Sequence, residues 1–273
     1  MHQRPNPEDG TRPESAATGL IVAVDGPSSS GKSTVGAEAA SRLGYRFCDT
    51  GLLYRAVTWL ALERRVESTD LAALVALADE VRLEADDHGR LCCVQAAGRD
   101  VTTEVRSKAV EAAVSEYSRV AELRAALVLR QREIASEGAI IMAGRDIGTV
   151  ILPDADLKVY LDASAEERAR RRAAQRAAEG LGAEVREEQQ VLADLKRRDT
   201  LDSTRVTAPL RAAPDAVVLH SDALSFEETV AAVVAVIRAA ERARPGASSA
   251  SAASAAASTS TAGRAAPGGE RGE

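Results

Sequence analysis

Residues 20–34 read LIVAVDGPSSSGKST, and the reading of the whole chain starts from them. Leu20 to Val24 is a short, continuous apolar run closed by Asp25, the pattern of a strand buried on both faces of a parallel sheet. Directly behind it stands Gly26-x-x-x-x-Gly31-Lys32-Ser33. Glycines at those places allow a tight turn in which successive backbone N–H groups converge on an anion. A helix beginning near Lys32 adds the positive end of its dipole. Lys32 can reach the outer phosphates of a triphosphate, and the Ser33 hydroxyl can complete a Mg²⁺ shell. The alternative is an accidental match in a Gly/Ser-rich loop, and the order strand, loop, amphipathic helix speaks against it. Gly26, Pro27, Ser28, Ser29, Ser30, Gly31, Lys32, Ser33 and Thr34 are therefore expected to cradle a nucleoside triphosphate such as ATP.

Composition narrows the remaining choices. A chain of 273 residues can bury one sizeable core with small inserted pieces. A net charge of −6, a pI near 5.4 and only 3% aromatic residues predict no nucleic-acid partner, since neither a basic surface nor stacking platforms are implied. No run is apolar for long enough to span a bilayer, and residues 1–18 lack the apolar segment of a secretory signal. Cys48, Cys92 and Cys93 are odd in number and have no metal-ligand spacing, which fits free thiols in a reducing cytoplasm. With no coiled-coil or repeat signal, a monomer is the default expectation.

Taken in order, the chain alternates strands and helices. The pattern predicts a helix over 32–43 stopped by Gly44, a strand over 45–48, and helices over 52–64 and 70–80. The period then switches. Val81–Glu84, a turn at Asp87-His88-Gly89, and Leu91–Val94 predict a hairpin, with a short third piece near 100–105. Helical spacing returns over 108–137, as two helices or one bent one. Further strands are expected at 139–143, 157–161 and 217–220, and helices at 165–179, 184–197 and 226–242, with a turn at Gly180 and Gly182. This alternation predicts an α/β fold with a doubly wound parallel sheet that presents ligands at its strand C-termini. Residues 1–18 and the Ala/Ser/Gly-rich stretch 245–273 are expected to be disordered.

Three more clusters fall where such a sheet would face the phosphate loop. After the second strand comes Asp49-Thr50-Gly51-x-x-Tyr54-Arg55, in which Arg55 can clamp an acceptor phosphate and Thr50 can donate to it. After a later strand comes Gly144-Arg145-Asp146-x-Gly148, at a strand end of the kind that meets ligands beside a phosphate loop, with a buried Arg–Asp ion pair as the plainer alternative. The third is the arginine supply from Arg168 to Arg205: Arg168, Arg170, Arg171, Arg172 and Arg176, then Arg197-Arg198-Asp199 and Asp202-x-x-Arg205. A charged helix face is usually only solvated surface. A segment closing over a triphosphate, however, needs several cations. No Asn-Lys-x-Asp base-reading motif or Asp-x-x-Gly switch accompanies the loop, and His2, His88 and His220 sit in the leader, a turn and a strand end. A phosphate acceptor, already ionised near neutrality, needs no general base.

These residues resemble the bacterial cytidylate kinases. The resemblance covers about 20–242 and is carried by IVAVDGPSSSGKST, DTGLLYRA, DVTTEVR, AVSEYSRVAELR, GRDIGTVILPDA and RRDTLDSTRVTAPL. It implies a P-loop nucleoside monophosphate kinase fold over 19–244. A small β insertion at about 76–107 would lie in the monophosphate-binding region, with an α-helical lid at about 165–205. It further implies ATP-dependent phosphorylation of CMP and dCMP with Mg²⁺ held at Ser33. By motif position, Thr50, Tyr54 and Arg55 would border the monophosphate, Ser115, Arg124 and Asp146 would recognise the cytidine, and Arg145 would lie near the phosphates. Arg198, Asp202 and Arg205 would contact ribose, base or phosphate. Lys32, Arg145, Arg198 and Arg205 are thereby the expected catalytic cations. Ala143 departs from the many relatives that carry an acidic residue there. A kinase for UMP, AMP or another small acceptor, and a nucleotide-dependent regulatory protein, are the competing readings.

Overall fold

The computed structural model describes residues 19–178, 185–205 and 207–244. The expected leader, the expected tail and the turn at Gly180 and Gly182 lie outside the described residues. The apolar run becomes β1 (Ile21–Asp25), which pairs in parallel with β6 (Ile140–Gly144) on one side and β7 (Leu157–Asp162) on the other. That central position is why β1 and β6 carry almost no polar side chains. Outward from them lie β2 (Arg46–Asp49), against β6, and β8 (Val217–His220), against β7. On one face α1 (Lys32–Leu43) and α8 (Phe226–Ala243) pack Val35, Ala39, Val230, Val233 and Ile237 over the strands. Gly44 ends α1 in the left-handed region at φ 68°, and α8 opens on a capping box of Ser225 and Glu228.

The opposite face meets α5 (Ala121–Ser136) through Ala135, Ile140, Met142 and Ile147, so the sheet is doubly wound as expected. A further apolar cluster joins α2 (Gly51–Arg64), α3 (Leu71–Asp79), α4 (Lys108–Tyr117) and α5, with Leu53, Leu74, Leu123 and Leu127 at its centre. Into it is set the expected hairpin, β3 (Val81–Ala85) and β4 (Arg90–Ala96), antiparallel to each other. The hairpin also joins the main sheet. β4 runs parallel to β2, giving the order β3-β4-β2-β6-β1-β7-β8, with the short β5 (Arg99–Asp100) paired to β4.

Two local expectations are corrected. The third piece near 100–105 is a strand only at Arg99–Asp100, followed by a 3₁₀ turn at Glu104–Arg106. Side chains take over the ladder there: Asp100 Oδ1 accepts the Thr102 N–H at 2.9 Å, and Thr102 Oγ1 accepts the Val94 N–H at 2.9 Å. α6 (Ala165–Ala178) pairs with α7 through Ala169, Val191 and Leu195. α7 runs Val185–Ser203, past the expected end at Arg197. No Gly or Pro interrupts it, and the hydroxyl of Thr200 bonds back to the Lys196 carbonyl at 2.9 Å. Ile147–Ile151, for which the sequence pattern predicts no element, forms a π-helical turn. The ends of the described chain are tied together: Tyr45 OH accepts the Leu20 N–H at 2.9 Å and donates to Glu241 Oε1 at 2.6 Å, and Arg244 Nη1 donates to the Gly19 carbonyl at 3.1 Å.

Candidate active site

The loop between β1 and α1 takes a backbone course that its glycines permit. Gly26 has φ 156° and Gly31 φ 93°, and a Cβ at Gly26 would stand 2.2 Å from the Leu161 carbonyl oxygen. Ser30 Oγ is buried and has no hydrogen-bond partner among the described residues. Lys32 curls back over the loop and donates to the Pro27 carbonyl at 2.9 Å. Burial first, and the Arg145 guanidinium second, push its pKa down to about 7. An ammonium so placed is short of anions, and phosphate is the group that suits it. Ser33 Oγ donates to Asp49 Oδ2 at 2.7 Å.

Asp25 ends β1 and clamps the turn opposite. Its carboxylate accepts the N–H groups of Ile147 and Gly148, each at 2.7 Å. Burial nevertheless lifts its pKa to about 6. The clamp fixes Arg145 and Asp146 at the end of β6, and from them a chain of opposite charges runs across the site. Arg145 donates to Ser28 Oγ at 3.3 Å and makes a short bond to Asp202. Burial opposes the charge on Arg145, but Asp202 outweighs it and raises the pKa. Arg205 stands 4.0 Å from both Asp202 Oδ1 and Asp146 Oδ1. Asp146 accepts a short bond from Arg124, whose guanidinium lies 5.4 Å over the Tyr54 ring. Arg198 lies beside Arg145 and Asp202, and its buried Nε has no partner among the described residues. Burial and the neighbouring Arg145 lower its pKa to about 10.

The structure thus brings together Tyr54, Arg124, Arg145, Asp146, Asp202 and Arg205, with Lys32 and Arg198 alongside. Arg55 donates to the Val105 carbonyl at 3.3 Å, and burial lowers its pKa. Thr50 is buried and its hydroxyl donates to the Ala143 carbonyl at 3.0 Å, so its proton is not turned outward. Ser115, on α4, has a hydroxyl with no hydrogen bond among the described residues.

Sequence reasoning passed over several groups. Arg168, placed among surface arginines, is only 4% exposed and donates to Ser28 O at 3.0 Å and to Asp199 Oδ2 at 2.6 Å. Asp25 and Asp49 were named in their motifs but given no task, and their place at strand ends was the available signal. A cleft of about 260 Å³ beside the loop, lined by Thr34, Arg171, Ser225 and Phe226 among others, had one hint: an aromatic residue directly after a helix cap. A second cleft, of about 370 Å³, opens between Glu116, Arg119, Thr204 and Arg205. Among the described residues no group of three His, Cys, Asp or Glu is placed to hold a metal alone, and no helix is long and apolar enough to cross a membrane. The side chain of Arg176 lies outside the described residues.

Comparison with known proteins gives the chain its family. The family model described as cytidylate kinase matches residues 22–239. A cytidylate kinase of Nocardia farcinica is 48% identical over 214 residues, 78% of this chain and 91% of that protein. One of Mycolicibacterium paratuberculosis is 47% identical over 212 residues, 77% and 92% of the respective chains. One of Geobacillus kaustophilus is 43% identical over 220 residues, 80% and 96%. The match runs along nearly the whole length of these phosphotransferases, and the chain belongs to the cytidylate kinase family.

Proposed function

We propose that this enzyme transfers the γ-phosphoryl group of ATP, as its Mg²⁺ complex, to the 5′-phosphate of CMP and dCMP, giving ADP with CDP or dCDP. The observation that carries the reading is the meeting of two anion-seeking sets: Lys32 with the loop amides on one side, and Arg145, Arg198 and Arg205 on the other. The loop and Lys32 hold the donor phosphates, with Arg55 and Arg198 on the acceptor phosphate. Arg145 and Arg205 spread the charge that develops on the group in flight. Positioning and electrostatics supply most of the barrier reduction in such a transfer. The acceptor oxygen is already ionised, so His88 and His220 have no part in it.

Mg²⁺ fits the donor set. Ser33 and Asp49 offer hard oxygens 2.7 Å apart beside the loop, and this ion is usually held by one or two protein oxygens plus phosphates and water. When bound, it neutralises charge on the donor phosphates. The cleft at Arg171 and Phe226 takes the adenosine end of ATP. Asp146 and Arg124 offer an acceptor beside donors, matching the amino group and the N3/O2 edge of cytosine. Uracil, with a carbonyl in place of the amino group, would set an acceptor against the buried Asp146 carboxylate, where no hydrogen bond can form. α6 and α7 act as the lid over about 165–205, and β3–β5 with α4 form the monophosphate side. Closure excludes the water that would otherwise take the phosphoryl group.

The test is ADP release with Mg-ATP and CMP, dCMP, UMP, AMP or no acceptor. Strong turnover with CMP and dCMP alone is expected. Equal rates with UMP would remove the assigned base-reading role of Asp146. Silence with every monophosphate, despite ATP binding, would sink the proposal. Lys32→Ala should lose about 10²–10³-fold in kcat, the scale for deleting one charge-stabilising donor.

A further inference from the structure

Glu111 lies in the first turn of α4 and reaches out of its own helix toward α6. Its Oε1 accepts a hydrogen bond from Arg172 Nη2 at 2.9 Å, with the two side chains 28–30% exposed. The same carboxylate makes Arg55 and Arg198 harder to deprotonate. One acidic group thus faces cations from α2, α6 and α7, although the phosphoryl transfer described above gives it no task.

Arg168 and Arg171, also on α6, lead elsewhere. Arg168 is bound to the phosphate loop and to Asp199 on α7, and Arg171 donates to the Ser221 carbonyl at 2.5 Å. Lys196 on α7 pairs with Glu166. Among the described residues, Glu111–Arg172 is the ion pair that joins α6 to the acceptor side. The apolar contact between α6 and α7 is small, Ala169 with Val191 and Leu195, so packing leaves their position open to a polar tie.

We propose that Glu111 is a positioning residue, a carboxylate clasp that draws Arg172, and α6 with it, onto α4 and so favours closure of the α6–α7 pair over the transferring phosphates. Its effect on turnover rests on the kinase reading, whereas its effect on α6 does not. A partly exposed ion pair shifts such an equilibrium by roughly two- to five-fold and weakens in salt.

The experiment compares the full chain with Glu111→Gln, Arg172→Gln and the double variant. Backbone hydrogen exchange is read along α4 and α6 without nucleotide, and kcat/KM is measured for CMP. Each single change should speed α6 exchange about two- to five-fold, and the double variant should add nothing further. Glu111→Gln should lower kcat/KM for CMP by a similar factor, and high salt should loosen α6 in the unaltered protein but not in the variants. Unmoved α6 exchange, losses that multiply in the double variant, or faster exchange confined to α4 would each overturn the clasp. If the unaltered protein phosphorylates no monophosphate while α6 still answers to Glu111→Gln, the functional reading fails and the clasp stands.

Discussion

Lys32 is a buried lysine whose amine donates to the Pro27 carbonyl. Its folded pKa of about 7 lies below the ordinary 10.5. The charged form is therefore disfavoured by folding, most fully below pH 7, and that penalty fades as pH rises from 7 toward 10.5. Triphosphate reverses the shift. ATP binding at pH 8 should take up about one proton, measured by calorimetry in buffers of different ionisation heat, and Lys32→Met should abolish the uptake. Asp146 poses the opposite case, a carboxylate bonded to Arg124 with both side chains nearly buried. Asp146→Asn leaves a buried guanidinium short of its counter-ion, a loss on the order of 3–5 kcal/mol. Urea unfolding should show that loss, and kinetics should show KM for CMP rising far more than KM for ATP. Both residues were legible because a motif spacing announced them. Arg168 was not: its sequence neighbours are arginines that stay outside, and only the fit of α6 against the phosphate loop sends this one in.

At the scale of elements, ends set by local chemistry were readable and ends set by distant partners were not. Gly44 marked the end of α1 in the sequence, and the expected start of α8 at Phe226 coincides with a local Ser225–Glu228 capping box. The π-helical turn at Ile147–Ile151 follows the Asp25 clamp, whose acceptor lies 122 residues from Ile147, and no window of sequence contains both. β5 was overextended because Asp100 and Thr102 take backbone partners that a strand would have used. The start of α8 supplies a further test. Phe226 is 48% exposed, adds little to the core, and lines the cleft beside the loop. Phe226→Ala should leave the unfolding midpoint nearly unchanged while raising KM for ATP several-fold. A fall in stability without a change in KM would remove the ring from the nucleotide site.

Across the whole molecule, apolar burial is uneven. Large clusters hold the sheet and its flanking helices, whereas α6 and α7 share a small one. Native-state exchange should therefore be slowest in β1 and β6 and fastest in α6–α7, and ATP with CMP should protect α6–α7 most. Equal protection of sheet and helix pair without nucleotide would contradict a lid. The tie between the ends of the described chain has its own consequence. Since Arg244 reaches Gly19 and Glu241 shares Tyr45 with Leu20, the point at which the polypeptide is cut matters less than the loop it closes. A circular permutant that joins 244 to 19 by a short Gly/Ser linker, reopened between the exposed Asp87 and His88, should fold and phosphorylate CMP.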